Sequence, residues 1–108
     1  MSFRREKVCS LLQNMAASFI SREFIAVPSI LISVTGVKIS SDLKKAKILV
    51  SIYPIEKEKE VLEILKSRLS DLRNYVKSQI KMKFLPFFEI DIDEGEKSRQ
   101  RVEELLKK

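Results

Sequence analysis

The sequence predicts an α+β domain in which a three-stranded sheet carries helices on one face, in the order helix, strand, strand, helix, helix, strand. Three observations predict it. Apolar residues recur at helical spacings of three and four in two long segments, residues 2–23 and 58–85. β-Prone residues alternate across 30–39, 45–53 and 87–92. A chain of 108 residues has room for one hydrophobic core, which the helix seams and inward strand faces must share.

In the first helix Ser2 is a possible cap, and Val8, Leu11, Leu12, Met15, Phe19 and Ile20 form the apolar face. The helix is expected to end near Glu23 or Phe24, because Pro28 disfavours helical backbone at Val27. In the first strand, Ile30, Ile32 and Val34 alternate with Leu31, Ser33 and Thr35. Gly36 then marks a bulge before Val37-Lys38-Ile39. Ser40-Ser41-Asp42-Leu43 has turn chemistry. The strand after it, Lys45–Tyr53, sets Ala46, Ile48, Val50 and Ile52 on one face, and the pair reads as an antiparallel hairpin.

Pro54 opens the second helical stretch, with Leu62, Leu65, Leu69, Leu72 and Val76 along one seam. An unbroken helix over 58–85 would be ~42 Å long at 1.5 Å per residue. A domain of this size has a diameter of roughly 35 Å, so a break is expected. Glu56, Glu58 and Glu60 precede Lys66 and Arg68; then Asp71 precedes Lys77, Lys81 and Lys83. Acid first and base last is what a helix dipole favours, and it occurs twice. Two helices meeting at about Ser70 are therefore predicted, with Ser70 as N-cap and Pro86 ending the second. The third strand runs from Phe87 to Ile92. The folded unit is expected to span residues 1–94, followed by a charged tail over 95–108 that forms a short helix or stays mobile.

The net charge of +6 is unevenly spread. Residues 66–83 hold six bases against Asp71 alone, whereas Glu89, Asp91, Asp93, Glu94 and Glu96 crowd residues 89–96. Lys66, Arg73, Lys77 and Lys81 share one helical face beside the apolar seam, and Lys38, Lys44, Lys45 and Lys47 cluster at the hairpin turn. Such polarity suits a polyanion partner, although a solvated helix face and lysine-protected strand ends produce the same pattern. Catalysis is disfavoured. The chain has no His and a single Cys, Cys9, in a helical pattern that reads as a partly buried thiol. Two glycines cannot form a phosphate-cradling loop. No enzyme activity, cofactor, metal or small-molecule substrate is expected. No apolar run is long enough to span a membrane and the N-terminus turns polar too early for a signal peptide, so a cytoplasmic protein is expected, and a monomer because no surplus apolar face is evident.

The predicted element order is that of a type II KH domain, and the residues resemble the bacterial ribosome-binding factor A family. The strongest match is Val37-Lys38-Ile39-Ser40-Ser41-Asp42-Leu43-Lys44-Lys45-Ala46-Lys47-Ile48-Leu49-Val50-Ser51, which is similar to the family's strand–turn–strand signature. Leu72-Arg73, Leu85-Pro86 with Asp93, and Arg101-Val102 with Leu105-Leu106 match at scattered positions. The family usually lacks the Gly-x-x-Gly loop of ordinary KH domains and has an Ala-x-Gly kink in its place. Here Arg68-Leu69-Ser70 occupies that position. The resemblance implies a non-catalytic maturation factor that binds the small ribosomal subunit and its precursor RNA, with a cold-sensitive defect on deletion.

The candidate nucleic-acid-binding residues are Lys44, Lys45, Lys47, Lys66, Arg68, Arg73, Lys77, Lys81 and Lys83. They would act by phosphate neutralisation and shape. Base stacking is expected to be minor, with Tyr75 packed or half-exposed. Arg73 has an equal structural reading, an ion pair with Asp71 or Glu89. Two other functions fit the residues. One is a generic KH-like nucleic-acid binder; the other is a protein-interaction module using the acidic end from Glu89 to Glu96.

Overall fold

In the computed structural model, residues 2–23, 29–80, 85–95 and 105–106 are described. Helix α1 (Ser2–Glu23) precedes strands β1 (Leu31–Ile39) and β2 (Lys45–Tyr53). A short 3-10 turn, Ile55–Lys57, leads into helices α2 (Glu58–Ser67) and α3 (Leu69–Gln79), and strand β3 (Phe87–Ile92) follows. The strands form a mixed sheet in the order β1-β2-β3. β2 is central, antiparallel to β1 and parallel to β3.

Strand alternation decides which face is covered. Ala46, Ile48, Val50 and Ile52 of β2 and Phe88, Ile90 and Ile92 of β3 point to the same side and are buried. Leu12, Ala16, Phe19 and Ile20 of α1, Val61 and Leu65 of α2, and Leu72 and Val76 of α3 close over them. Each such large aliphatic or aromatic side chain removed from water contributes about 1.5–3 kcal/mol. The α1 face is narrower than its spacing predicts, since Leu11 stays exposed, while Val8, Cys9 and Met15 are half-buried at its margin. The opposite face of the sheet is left open among the described residues.

The bulge falls one residue before its predicted place. Pairing skips from Val34 opposite Val50 to Gly36 opposite Leu49, so Thr35 is the extra residue. Its hydroxyl donates to Asp93 Oδ2 at 2.5 Å and lies 3.3 Å from the Leu49 carbonyl. Because side chains alternate, the inserted residue resets the phase of β1, which keeps Ile39 in the core.

The long helical stretch is divided, as its length and charge order require, but at Arg68 instead of Ser70. Arg68 has φ −103° and ψ 10°, ends α2 and precedes α3. Its N–H donates to the Leu65 carbonyl at 3.1 Å, a tightened last turn, and its carbonyl accepts from Leu72 N–H at 3.0 Å. No side chain caps α3; Ser70 is an exposed residue of its first turn. What holds the junction is the Arg68 guanidinium, paired with Glu23 at the end of α1 and with Asp71 at 2.7 Å.

The second correction is the end of α3. The helix stops at Gln79, and Ile80 is extended at φ −131° and ψ 143°. Arg73 Nη1 donates to the Pro86 carbonyl at 2.6 Å. A helix continued to Leu85 would carry Pro86 roughly 20 Å along the axis from Arg73. The chain instead turns back, so that β3 enters the sheet beside the helix it has just left. Half-buried, β-branched Ile80 suits the extended exit. Lys81 and Lys83, predicted on the same helix, lie outside the described residues. The tail expected over 95–108 also lies largely outside them, apart from helical backbone at Glu94-Gly95 and at exposed Leu105-Leu106.

Candidate nucleic-acid interface

The β1–β2 turn is organised by short polar side chains. Asp42 Oδ1 accepts from Ser40 Oγ at 2.6 Å and from Lys44 N–H at 3.0 Å, while Lys45 N–H donates to Ser40 Oγ at 3.0 Å. These bonds hold the Asp42 carboxyl below the usual carboxylate range, the Ser40 hydroxyl most of all and the Lys44 amide next. Leu43 takes a left-handed backbone at φ 61°. The turn projects Lys44 outward and starts β2 in a fixed register, with Lys45 and Lys47 on the open face because Ala46 and Ile48 point inward.

On the helical side Lys66, at the end of α2, and Lys77, in the last turn of α3, are exposed. A shallow groove of about 330 Å³ at the β3 edge brings the two sides together. It is lined by Lys66 and Leu69 from the helix junction, by Lys47 from β2, and by residues 87–91 of β3. Lys47 and Lys66, nineteen positions apart in sequence, thus border one depression. Among the described residues neither Lys44, Lys45, Lys47, Lys66 nor Lys77 has a salt-bridge partner.

The two arginines behave differently. The guanidinium of Arg68 is engaged by Glu23 and Asp71 and lies 6.0 Å from the Phe19 ring centroid. Its pKa is raised, first by the Asp71 hydrogen bond and then by Glu23, so it stays cationic but already neutralised. Arg73 pairs with neither Asp71 nor Glu89. It bonds the Pro86 carbonyl and sits 5.9 Å from the Phe88 ring centroid, a role in anchoring β3 to α3. Tyr75 is half-buried against Phe19, with Arg22 above its ring at 4.7 Å, and offers no open stacking surface.

Sequence reasoning missed Phe87. It is 64% exposed and is paired in register with Lys45 on the open face. Its signal was present in the alternation, since Phe88 must point inward if Ile90 and Ile92 do. The acidic end is partly committed to structure: Asp93 accepts from Thr35, and Asp91 Oδ1 accepts from the Ile92 N–H. Among the described residues no group of three or more His, Cys, Asp or Glu is arranged to hold a metal, and no helix is long and apolar enough to cross a membrane.

Comparison with known proteins converges on one family. The family model for ribosome-binding factor A matches residues 4–106. A ribosome-binding factor A from Halothermothrix orenii is 36% identical over 107 residues, covering 97% of this chain and 87% of the relative. That of Chlorobaculum parvum is 36% identical over 110 residues, covering 99% and 91%. The crystal structure of ribosome-binding factor A from Thermus thermophilus superimposes with a TM-score of 0.68 at 20% identity, covering 81% of this chain and 92% of that one. At that identity the structural likeness speaks to the fold alone. Members of the matched family are non-catalytic. A family match across nearly the whole chain, with relatives above 30% identity over most of their own length, places this chain in the ribosome-binding factor A family.

Proposed function

We propose that this protein is a small-subunit assembly factor, a KH-like domain of type II topology that binds precursor ribosomal RNA and the immature subunit without catalysing a reaction. The observation that carries this reading is the meeting of Lys47 and Lys66 at one groove, both without salt-bridge partners among the described residues. Family membership supports the ribosomal target. Lysines without ion-pair partners attract phosphate without reading sequence, against the partial offset of Glu89 and Asp91 in the same groove, so affinity falls with salt and selectivity rests on the shape of the RNA. Lys44, Lys45 and Lys77 extend the basic surface, and Arg73 contributes by fixing where β3 begins. The protein acts in the cytoplasm as a monomer, and its loss is felt most in the cold, where misfolded RNA rearranges slowly.

Gradient co-sedimentation with immature small subunits tests the reading. The triple charge reversal Lys47→Glu, Lys66→Glu and Lys77→Glu is expected to abolish co-migration while leaving the thermal melt within a few degrees of the parent. These are exposed positions, where substitution is usually worth no more than about 0.5 kcal/mol. Undiminished co-sedimentation of the folded variant would overturn the RNA-binding surface.

A further inference from the structure

The open face of the sheet carries two large exposed aromatic side chains, at opposite ends. Tyr53, 59% exposed, ends β2 and is paired with Leu31. Phe87, 64% exposed, begins β3 and is paired with Lys45. The span of β2 from Lys45 to Tyr53 separates them by roughly 26 Å at 3.3 Å per residue. Their surroundings differ in charge. Lys47 follows Lys45 on the same face of β2, and Lys38 of β1 lies directly opposite Lys47. Facing lysines on adjacent strands are destabilising unless an anion lies between or above them. Among the described residues neither Lys38 nor Lys45 has a salt-bridge partner. Glu89 sits beside Lys47 on β3, and Asp91 one step further, so negative charge increases away from Phe87. Attraction for an anion is therefore concentrated at the Phe87 end.

We propose that Phe87 is a stacking platform for one unpaired base of a single-stranded RNA segment, whose flanking phosphates are held by Lys45, Lys47 and Lys38. This rests on the RNA-binding reading above and adds to its phosphate contacts a second kind of contact, base stacking, on a ring that borders the same groove. The chemistry is complementary. An exposed phenyl ring next to a lysine row offers a π-face for any base and cations within reach of the backbone on either side. It also gives the burial that a 64% exposed Phe lacks in the free protein. Tyr53 has the ring without the lysines and is not part of the site.

The chain contains no Trp, so Phe87→Trp introduces a single indole at the platform, excited selectively on the long-wavelength side of the two tyrosines. Titration with a mixed-sequence single-stranded oligoribonucleotide of about ten nucleotides is expected to quench it, whereas the same sequence in a duplex is not. In parallel, anisotropy of the labelled oligonucleotide is followed for the parent, Phe87→Ala and Tyr53→Ala. Phe87→Ala is expected to weaken single-strand binding about fivefold or more, Phe87→Trp to retain it, and Tyr53→Ala to leave it unchanged. Far-UV circular dichroism confirms that each variant is folded. If the parent binds single-stranded RNA but Phe87→Ala binds equally well and the introduced indole is not quenched, the platform is wrong and the RNA reading stands. If the parent binds neither oligonucleotides nor immature subunits, both fail. Loss of subunit co-sedimentation by Phe87→Ala with unaltered oligonucleotide affinity would assign the ring to a protein contact and overturn the platform.

Discussion

Asp42 and Ser40 show how single side chains place the basic residues. The carboxylate accepts from Ser40 Oγ and from Lys44 N–H, and the same hydroxyl accepts from Lys45 N–H. The ionised form is the one these donors favour, so the folded-state pKa lies below the ordinary 3.8. The sign follows from that. Stability from Asp42 is fully present above the unfolded-state value and is lost as pH falls through the folded-state value. Asp42→Asn is expected to melt below the parent at neutral pH, with the difference shrinking in acid as the parent carboxylate is protonated. Thermal melts of both proteins from neutral pH down into the acid range check it; a gap that widens in acid would refute the assignment. The turn was legible in the sequence because Ser40-Ser41-Asp42 has turn chemistry. The left-handed backbone at Leu43 was not, since nothing in an aliphatic side chain announces a positive φ.

At the scale of elements, legibility depended on whether local or distant groups set the boundary. β2 and β3 have the bounds their alternation predicts, because the inward face must stay apolar over the whole strand. Helix ends were less legible. A serine followed by an aspartate reads as a cap and first turn, yet the break sits two residues earlier, where Arg68 reaches a carboxylate at the far end of α1. That pairing spans 45 positions and has no local signal. Likewise α3 ends at Gln79, and the Arg73 bond to the Pro86 carbonyl that holds the chain's return is a contact only the folded chain creates. The interface was legible as residue types but not as an arrangement. Lys66 and Lys77 were read on a helical stripe, while the meeting of Lys66 with Lys47 depends on how β3 packs beside the junction. The junction yields a discriminating pair of substitutions. Arg68→Ala is expected to lower the urea midpoint clearly, since two ion pairs and the contact with Phe19 are lost together. Ser70→Ala is expected to change stability by less than about 0.5 kcal/mol. Urea unfolding measures both, and a Ser70→Ala loss of about 1 kcal/mol, the usual cost of a missing cap, would restore serine to that role.

Over the whole molecule, the useful quantity is the charge left after internal pairing, not the formal net charge of +6. Arg68 is offset by Glu23 and Asp71, and Lys57 is paired with Glu60. Lys38, Lys44, Lys45, Lys47, Lys66 and Lys77 have no salt-bridge partner among the described residues, and those of the sheet and α2 gather around the start of β3. Arg68 and Lys66 are near neighbours in sequence and equal in formal charge, so they separate the two ways of counting. Each phosphate contact that releases a counterion adds about 0.7 to the slope of log affinity against log salt for single-stranded RNA. Replacing Lys47 and Lys66 together by Ala is expected to lower that slope by about 1.4 and to weaken binding most at low salt. Arg68→Ala removes the same formal charge per site but frees two carboxylates that it had neutralised. It removes no phosphate contact and is expected to weaken binding only through repulsion that salt screens, lowering the slope by less than half of the ~0.7 that a lost contact gives. Affinities measured for all three proteins over a salt series decide the matter. A full drop in slope for Arg68→Ala would mean that its guanidinium exchanges its carboxylate partners for phosphate on binding. The helix junction would then belong to the interface itself.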